Sequence, residues 1–351
     1  MSAITKITDI RRLSKTELTE YLTDELELPR YRSDQIWQWI WQKGVQSFDE
    51  MTNLPLSLRS SLKSRLQIFP ISIDKTQYSE DGTIKSRFRL YDGHMIEAVL
   101  IPVPVEKRYT VCVSSQVGCS LSCSFCATGK MKRERNLEAA EIYDQVFLLN
   151  QQCQEKYGEK ITNIVFMGMG EPLLNYHNVM ISIDRITSED GLHMSARRIT
   201  VSTAGIGKMI RKLADDRVRF NLALSLHAAD DTKRNEIMPI NEQNNLKVLA
   251  DALAYFYHET HNKITLEYIA FQHFNDEPSD AKKLAHFCKS FPAMINIIEY
   301  NPIEGFTMSK SDPDRLERFA RELTRLGAAV TVRRSRGKDI EAACGQLANK
   351  G

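Results

Sequence analysis

The chain has 351 residues, 42% of them hydrophobic, and its 47 Lys and Arg residues nearly balance its 45 Asp and Glu residues. This balance alone predicts no polyanion partner, so a nucleic-acid surface would have to come from local clusters of basic residues. No apolar run approaches the ~20 residues of a membrane helix, and the N-terminal "MSAITKITDIRRLSKTEL" lacks the apolar core of a secretory signal. We therefore expect a cytoplasmic protein with no membrane partner.

The seven cysteines indicate a reducing compartment, because an odd number spread unevenly over a large chain does not suit a disulfide framework. They are Cys112, Cys119, Cys123, Cys126, Cys153, Cys288 and Cys344. We expect their thiols to be kept for chemistry.

Residues 1–70 are predicted to form a small helical domain. In "SDQIWQWIWQKGV" the helical period collects four apolar side chains on one face and leaves Trp39 on another. The shared face consists of Ile36, Trp37, Ile40 and Trp41. We interpret these residues as an aromatic core. The alternative, a platform for RNA, would draw on the interleaved basic residues Arg30, Arg32 and Lys43.

Residues 71–108 are predicted to form hairpin strands. The segment "YSEDGTIKSRFRLYDGHMIEAVLIP" alternates in polarity and contains the turn dipeptide Asp-Gly twice. We expect these strands to flank the domain that follows them.

From residue 109 to residue 351 the chain alternates strand-like and helix-like segments. The strand candidates are residues 109–115, 161–168, 197–203, 220–227, 263–271, 294–300 and 328–334, and helix candidates include 137–153, 246–260 and 311–327. This alternation predicts a parallel sheet with right-handed helical crossovers. Roughly six or seven such units fit an α/β fold with a partial (βα)6-type barrel better than an eightfold barrel. Ligands are then expected at the carboxyl ends of the strands.

A loop directly after the first of these strands, "VGCSLSCSFCATG", holds three cysteines in C-x3-C-x2-C spacing: Cys119, Cys123 and Cys126. A structural zinc site usually has four ligands, often in two separated Cys pairs. Three thiolates in one loop favour a four-iron, four-sulfur cluster with one open iron, although zinc remains the alternative. The fourth ligand could be Cys112, Cys344 or a group that the protein does not supply.

This spacing, with Phe125 before the last cysteine, resembles the radical S-adenosylmethionine superfamily. The resemblance implies that the open iron holds the amino and carboxylate groups of S-adenosylmethionine. It also implies reductive cleavage of the sulfonium to a 5′-deoxyadenosyl radical. The fourth ligand would then be S-adenosylmethionine itself.

A second motif, "FMGMGEPLLN" at residues 166–175, follows the second strand. It fails as a dinucleotide fingerprint because Leu173 stands where a third glycine belongs, and a glycine pair here could simply form a tight turn. The superfamily resemblance implies instead that Gly170 and Glu171 bind the amino group of S-adenosylmethionine. A carboxylate suits an ammonium group, and glycine lets a ligand approach the backbone.

The longer motifs "VCVSSQVGCSLSCSFCATG" and "VRRSRGKDIEAACGQL" resemble the bacterial adenosine C2 methyltransferases. "ITVSTAGI", "LALSLHA", "IMPIN" and "NPI" match the same family in the same order, and the resemblance covers residues 95–347. It implies methylation of carbon 2 of an adenosine in 23S rRNA and in tRNA. It further implies a radical route through an S-methylcysteine, because carbon 2 is a poor target for polar methyl transfer.

The resemblance also assigns residues. Those that would hold the iron–sulfur cluster are Cys119, Cys123 and Cys126, and those that would contact S-adenosylmethionine are Gly170, Glu171, Ser202, Ser225, Leu226, His227 and Asn301. Cys344 would carry the methyl group, Cys112 would resolve the protein–RNA adduct by forming a disulfide bond with it, and Glu97 would accept the proton. Attack at sulfur needs a thiolate and close approach, so both thiols must share one cavity. Each cysteine alone could equally be a small core residue.

Two basic runs are candidate RNA contacts: "RRSRGK", with Arg333, Arg334, Arg336 and Lys338, and "KMKRER" at residues 130–135. Beside an active site such runs favour phosphate binding, although a solvated face is the alternative. The target base would have to be flipped or presented by a loop. We also expect a flavodoxin- or ferredoxin-like electron donor and a monomeric enzyme.

Three rival functions remain. The related methyltransferase that acts on carbon 8 of the ribosomal adenosine, and confers antibiotic resistance, shares the cysteines, but Pro172 and "RRSRG" favour the C2 family. A non-catalytic zinc-binding RNA module is the second rival. Hydrolase chemistry is poorly supported, because no nucleophile is placed by a motif for His227.

Overall fold

A computed structural model describes residues 8–349. The helices are α1 Lys15–Glu20, α2 Tyr31–Trp41, α3 Leu56–Arg65, α4 Ala139–Tyr157, α5 Tyr176–Thr187, α6 Gly207–Asp215, α7 Asp231–Ile237, α8 Leu246–Thr260, α9 Pro278–Phe287 and α10 Pro313–Arg325. Within residues 8–349, none of the helices has the length and apolar character that a membrane crossing requires.

The strands fall into one large sheet and two short ribbons. They are β1 Thr8–Asp9, β2 Leu66–Gln67, β3 Ser72–Tyr78, β4 Ile84–Arg89, β5 Met95–Val103, β6 Arg108–Cys112, β7 Gln116–Val117, β8 Arg135–Asn136, β9 Asn163–Phe166, β10 Ile199–Thr203, β11 Asn221–Ser225, β12 Ile264–Ala270, β13 Met294–Glu299 and β14 Ala329–Arg333. The short ribbons are β1–β2 and β7–β8.

The large sheet has the strand order β14-β13-β12-β11-β10-β9-β6-β5-β4-β3. Strands β6 and β9 to β14 are parallel and follow one another in sequence order, with helices in the connections. This is the predicted partial βα barrel, and the structure contains all seven predicted strand segments. Strands β3, β4 and β5 pair antiparallel and extend the same sheet beyond β6, which confirms the hairpin prediction for residues 71–108.

Strand β12 shows which side of the sheet faces the barrel interior. The Tyr268 ring stacks on Phe319 of helix α10 with ring centroids 5.5 Å apart, so this side of the strand faces the helices. Side chains alternate along a strand, so the neighbouring Glu267 points the other way, into the interior. Ile269 also points inward and packs with Phe125 of the cysteine loop in a separate apolar cluster.

The N-terminal helices pack directly against the barrel helix α4. The predicted apolar face of α2 is buried, and the Trp41 ring meets Tyr143 edge-on with centroids 5.0 Å apart. Arg11 adds a buried ionic contact, because its guanidinium binds the carboxylate of Asp144 at 2.8 Å and that of Asp9 at 2.9 Å. The aromatic residues therefore form a core, as interpreted from the sequence. A contact of this region with RNA, and the boundaries at residues 70 and 108, stay predictions.

Candidate active site

The cysteine loop is held in place by its own backbone and by the last residue of α7. The Cys126 amide donates to the Cys123 carbonyl at 3.2 Å, and the Ser124 amide donates to the Ile237 carbonyl at 3.1 Å. A Cβ on Gly129 would lie 2.7 Å from the Cys123 carbonyl oxygen, so only glycine fits there. Phe125 anchors the loop inward, because its ring meets the His227 ring edge-on at a centroid distance of 4.7 Å.

The three cysteine thiols form one electrostatic group. Burial raises the pKa of the Cys119 thiol to about 11, and it also raises the pKa values of Cys123 and Cys126. The charges of Cys119 and Cys126 raise the pKa of Cys123 further. A bound metal would reverse these shifts, because a coordinating thiol is deprotonated.

This donor set fits an iron–sulfur cluster in chemical type. Within residues 8–349, no three His, Cys, Asp or Glu side chains converge tightly enough to hold a single metal ion. A cluster of four irons binds each thiolate at a different iron, so its ligands need not converge on one point. Thiolates are also the soft ligands that such clusters require.

Glu171 connects the ends of two barrel strands. Its carboxylate accepts the Ala204 amide N–H at 2.7 Å, after β10, and the Leu173 amide N–H at 3.1 Å, after β9. Burial raises the Glu171 pKa to about 7 despite these hydrogen bonds. The preceding Gly170 has a φ of +94°, and a Cβ there would lie 2.4 Å from the Gln116 Cβ. The turn thus requires glycine on structural grounds, whatever ligand it also binds.

Arg234 holds the backbone at the ends of β10 and β11, a role that was not predicted from the sequence. Its buried guanidinium donates to the carbonyls of Ala204 at 2.5 Å, Ser225 at 3.2 Å and Leu226 at 3.0 Å. It therefore fixes the backbone at two of the residues expected to contact S-adenosylmethionine. Ser202, at the end of β10, donates its hydroxyl to the Phe166 carbonyl at 2.7 Å.

His227 is a neutral imidazole with a defined tautomer. Burial and the charge of Arg234 lower its pKa to about 3. The Ile269 amide N–H donates to Nδ1 at 3.1 Å, so Nδ1 is the unprotonated nitrogen and Nε2 carries the hydrogen. His227 can therefore donate one hydrogen bond from Nε2 but cannot act as an acid near neutral pH.

The structure brings Cys112 and Cys344 together although 231 positions separate them (344 minus 112, less one). Cys112 is buried at the carboxyl end of β6, whereas the Cys344 side chain reaches solvent. The protein packed around Cys344 still desolvates its thiol although part of the residue is exposed, which raises the Cys344 pKa to about 12, and the nearby charges of Cys112, Cys126 and Glu267 raise it as well. Every cysteine is a free thiol in the described part of the chain, so the structure contains no Cys112–Cys344 disulfide.

The segment after Cys344 lies along the cysteine loop. The Ala127 amide N–H donates to the Gly345 carbonyl at 2.7 Å, and the Thr128 hydroxyl donates to the Leu347 carbonyl at 2.6 Å. Asn301, at the end of β13, is buried, and its side-chain amide lies 3.5 Å from the Cys344 carbonyl oxygen. The candidate methyl carrier therefore lies between the candidate cluster loop and a residue expected to contact S-adenosylmethionine.

Glu97 is buried on β5, and its carboxylate already has partners. One oxygen accepts the backbone N–H groups of Ala348 at 3.0 Å and Asn349 at 3.1 Å. The other lies 3.6 Å from the ammonium of Lys85, whose role the sequence reasoning also missed.

Each of the two basic runs combines a cation held in an ion pair with others that are exposed. In the run "KMKRER" Arg135 forms ion pairs with Asp92 at 2.5 Å and Glu141 at 2.7 Å, so it has a structural role. Lys132 and Arg133 are exposed. In the run "RRSRGK" Lys338 pairs with Glu299 at 2.7 Å, whereas residues 333, 334 and 336 are exposed arginines.

Comparison with known proteins gives two family matches. Residues 8–68 match the ribosomal RNA large subunit methyltransferase N-terminal domain, and residues 113–285 match the radical SAM superfamily. A solved structure, the radical SAM methyltransferase from Sphaerobacter thermophilus, is 40% identical, with a TM-score of 0.91 over 97% of this chain and 99% of that one. The fold and these matches define a radical S-adenosylmethionine methyltransferase.

Curated relatives identify the family to which the chain belongs within this class of methyltransferases. The probable dual-specificity RNA methyltransferase RlmN of Cytophaga hutchinsonii is 54% identical over 97% of this chain and 93% of its own length. The protein of the same name from Flavobacterium johnsoniae is 48% identical over 97% of both chains. The chain belongs to the RlmN family of dual-specificity radical SAM RNA methyltransferases.

Proposed function

We propose that this enzyme methylates carbon 2 of an adenosine in 23S rRNA and in tRNA, and that Cys344 carries the methyl group. The observation that supports this most directly is the position of Cys344 at the cysteine loop, where the carbonyl of the next residue, Gly345, accepts the Ala127 amide N–H at 2.7 Å. Cys344 also lies close enough to Cys112 and Cys126 for their charges to act on its thiol. A methyl carrier must meet both the radical source and the cysteine that later releases the product.

The cofactors of the proposal are a [4Fe-4S] cluster and S-adenosyl-L-methionine. Cys119, Cys123 and Cys126 would hold the cluster, and Glu171 would pair with the ammonium group of S-adenosylmethionine. The remaining proposed contacts are Gly170, Ser202, Ser225, Leu226, His227 and Asn301. When bound, these groups would supply the methyl group and the 5′-deoxyadenosyl radical.

The protein's own residues would complete the transfer after the Cys344 methylene carbon has joined the ring. Glu97 would accept the proton that leaves carbon 2, and the unpaired electron of the adduct would pass to a one-electron acceptor, a capacity that the oxidised cluster would supply when bound. The Cys112 thiolate would attack the Cys344 sulfur, forming a disulfide as the bond from that sulfur to the transferred carbon breaks. The released electron pair returns to the base, whose new carbon takes up a proton and becomes the methyl group. Cellular thiols would then reduce the disulfide.

RNA binding would use the exposed basic residues near Cys344. Arg333 lies close enough for its charge to lower the Cys344 pKa, against the larger raising effect of burial. Arg334, Lys132 and Arg133 are exposed and would meet backbone phosphates. We further propose a cytoplasmic, monomeric enzyme that receives its electrons from a flavodoxin- or ferredoxin-like protein.

Nucleoside mass spectrometry tests the proposal. The reconstituted enzyme should convert adenosine in 23S rRNA fragments and tRNA to 2-methyladenosine, and Cys344→Ala should abolish the product. Cys288→Ala is the matched control, because this partly buried thiol follows α9 and has no part in the proposed mechanism. An 8-methyladenosine product would assign the enzyme to the carbon 8 reaction instead.

A further inference from the structure

The segment that carries Cys344 returns from β14, at one edge of the large sheet, to the hairpin at the other edge. The Gly337 amide donates to the Asp81 carboxylate at 2.9 Å, between β3 and β4. The Asp339 carboxylate accepts the Ser79 hydroxyl at 2.6 Å. These contacts anchor the start of residues 337–349, which we call the Cys344 segment.

The end of the Cys344 segment has a second anchor on β5. Glu97 accepts the amide N–H groups of Ala348 and Asn349 with one carboxylate oxygen, at 3.0 and 3.1 Å. The Asn349 side chain donates to the Met95 carbonyl at 2.7 Å. Cys344 therefore lies on a short span between two anchored points, one at the turn between β3 and β4 and the other on β5.

Lys85 on β4 contacts this arrangement on both sides of Cys344. Its ammonium lies 3.6 Å from the second oxygen of Glu97 and 3.4 Å from the Glu341 carbonyl oxygen. The side chains of Lys85 and Glu97 are only 4% and 2% exposed, so each charge depends on the other for compensation. Removing the ammonium would leave the Glu97 carboxylate as an uncompensated buried charge, which would destabilise the arrangement that holds Ala348 and Asn349.

We propose that Lys85 is a positioning residue, which holds the Cys344 segment against the cysteine loop through Glu97 and through the Glu341 carbonyl. This inference rests on the proposed function of Cys344. It extends that function, because Lys85, which takes no part in the reaction, would keep the methyl-carrying Cys344 in its reactive position. Loss of the Lys85 charge would release the segment, and Cys344 would then spend less time in its reactive position.

Lys85→Met removes the ammonium and keeps an unbranched side chain, and Lys75→Met on exposed β3 is the matched control. Amide hydrogen exchange of the cluster-free protein is the first readout. Exchange of residues 342–349 should rise about tenfold in Lys85→Met and stay at the wild-type rate in Lys75→Met, with the barrel strands unchanged.

Methylation of Cys344 by S-adenosylmethionine in reconstituted enzyme without RNA is the second readout. Lys85→Met should lower its rate constant about tenfold while leaving the KM for S-adenosylmethionine and the iron content unchanged. Lys85→Arg should restore most of the rate, because it returns the cation.

Exchange in Lys85→Met equal to that of the control would overturn the proposal. If Lys85→Met does not fold, Lys85→Met combined with Glu97→Gln removes both buried charges. In that variant the side-chain amide that replaces the Glu97 carboxylate should hold the segment less tightly than the carboxylate does in the wild type. Exchange at the wild-type rate would again overturn the proposal. Hydrogen exchange tests the role of Lys85 without any catalytic turnover. The proposed function is tested separately, and it would fail if the wild-type enzyme made no 2-methyladenosine.

Discussion

The amide N–H of Ala127 donates to the carbonyl of Gly345 at 2.7 Å, which joins the cysteine loop to the residue directly after Cys344. The adjacent hydrogen bond from the Thr128 hydroxyl to the Leu347 carbonyl, at 2.6 Å, continues this contact. The two loops therefore form one unit, although one follows the first barrel strand and the other follows the last.

Thr128→Val should weaken this unit. The variant removes the buried hydroxyl donor and leaves the Leu347 carbonyl without it, which should lower the free energy of unfolding by about 1–2 kcal/mol. It should also slow Cys344 methylation. Urea denaturation and peptide mass spectrometry measure the two effects. Thr260→Val, which removes a hydroxyl that donates to the Phe256 carbonyl at the end of α8, should leave methylation unchanged.

Cys112→Ala should trap the reaction after the carbon–carbon bond has formed. Without the Cys112 thiolate nothing attacks the Cys344 sulfur, so RNA should stay covalently attached to the protein. Denaturing gel electrophoresis with labelled RNA would show a slowly migrating band that is absent in Cys344→Ala. If Cys112→Ala releases 2-methyladenosine at the wild-type rate, Cys112 is not the resolving thiol.

Arg234→Met should destabilise the barrel strongly. The guanidinium satisfies the carbonyls of Ala204, Ser225 and Leu226 in a fully buried position, and Met offers them no donor. Because each buried carbonyl left without a donor costs about 1–3 kcal/mol, we expect the free energy of unfolding to fall by about 3–5 kcal/mol. Arg211→Met, on the exposed side of α6, should change it little. Equal urea midpoints for the two variants would contradict this account.

The free energy of unfolding of the cluster-free protein should depend on pH because of Glu171. Its folded-state pKa is raised from 4.5 to about 7 because of burial, so the folded state binds a proton more tightly than the unfolded state does. This contribution to stability is present below pH 4.5 and is lost as pH rises toward about 7. In Glu171→Gln this part of the slope should disappear, which urea titrations at a series of pH values would show. An unchanged slope would mean that Glu171 does not titrate in this range.

Much of the fold was predictable because it depends on local patterns. The seven barrel strands are rich in Val, Ile, Thr and Phe, several of them are apolar for four or more residues, and amphipathic helices lie between them. Both Asp-Gly turns lie in the segment whose polarity alternates. Helix α8 covers residues 246–260, as predicted from its period. The cysteine loop was equally predictable from the sequence, because its three cysteines lie within eight positions.

The parts that the sequence could not reveal depend on contacts between distant residues. The hydrogen bonds from Ala348 and Asn349 to Glu97 span about 250 positions and leave no periodic signal. In the sequence Arg234 looks like an exposed charged residue of a short helix, and only the fold shows that it is buried beneath two loops. Arg135 lay in a basic run that favoured RNA binding, yet its two ion pairs give it a structural role.

The most direct test of the central claim follows the methyl group of Cys344. Enzyme whose Cys344 has been methylated with trideuteromethyl S-adenosylmethionine is freed of excess label, then given unlabelled S-adenosylmethionine, reductant and RNA for one turnover. We expect 2-methyladenosine whose methyl group retains two deuterium atoms, because one is abstracted and replaced by a proton. An unlabelled methyl group on the first product would show that Cys344 does not carry the transferred carbon, and would contradict the account.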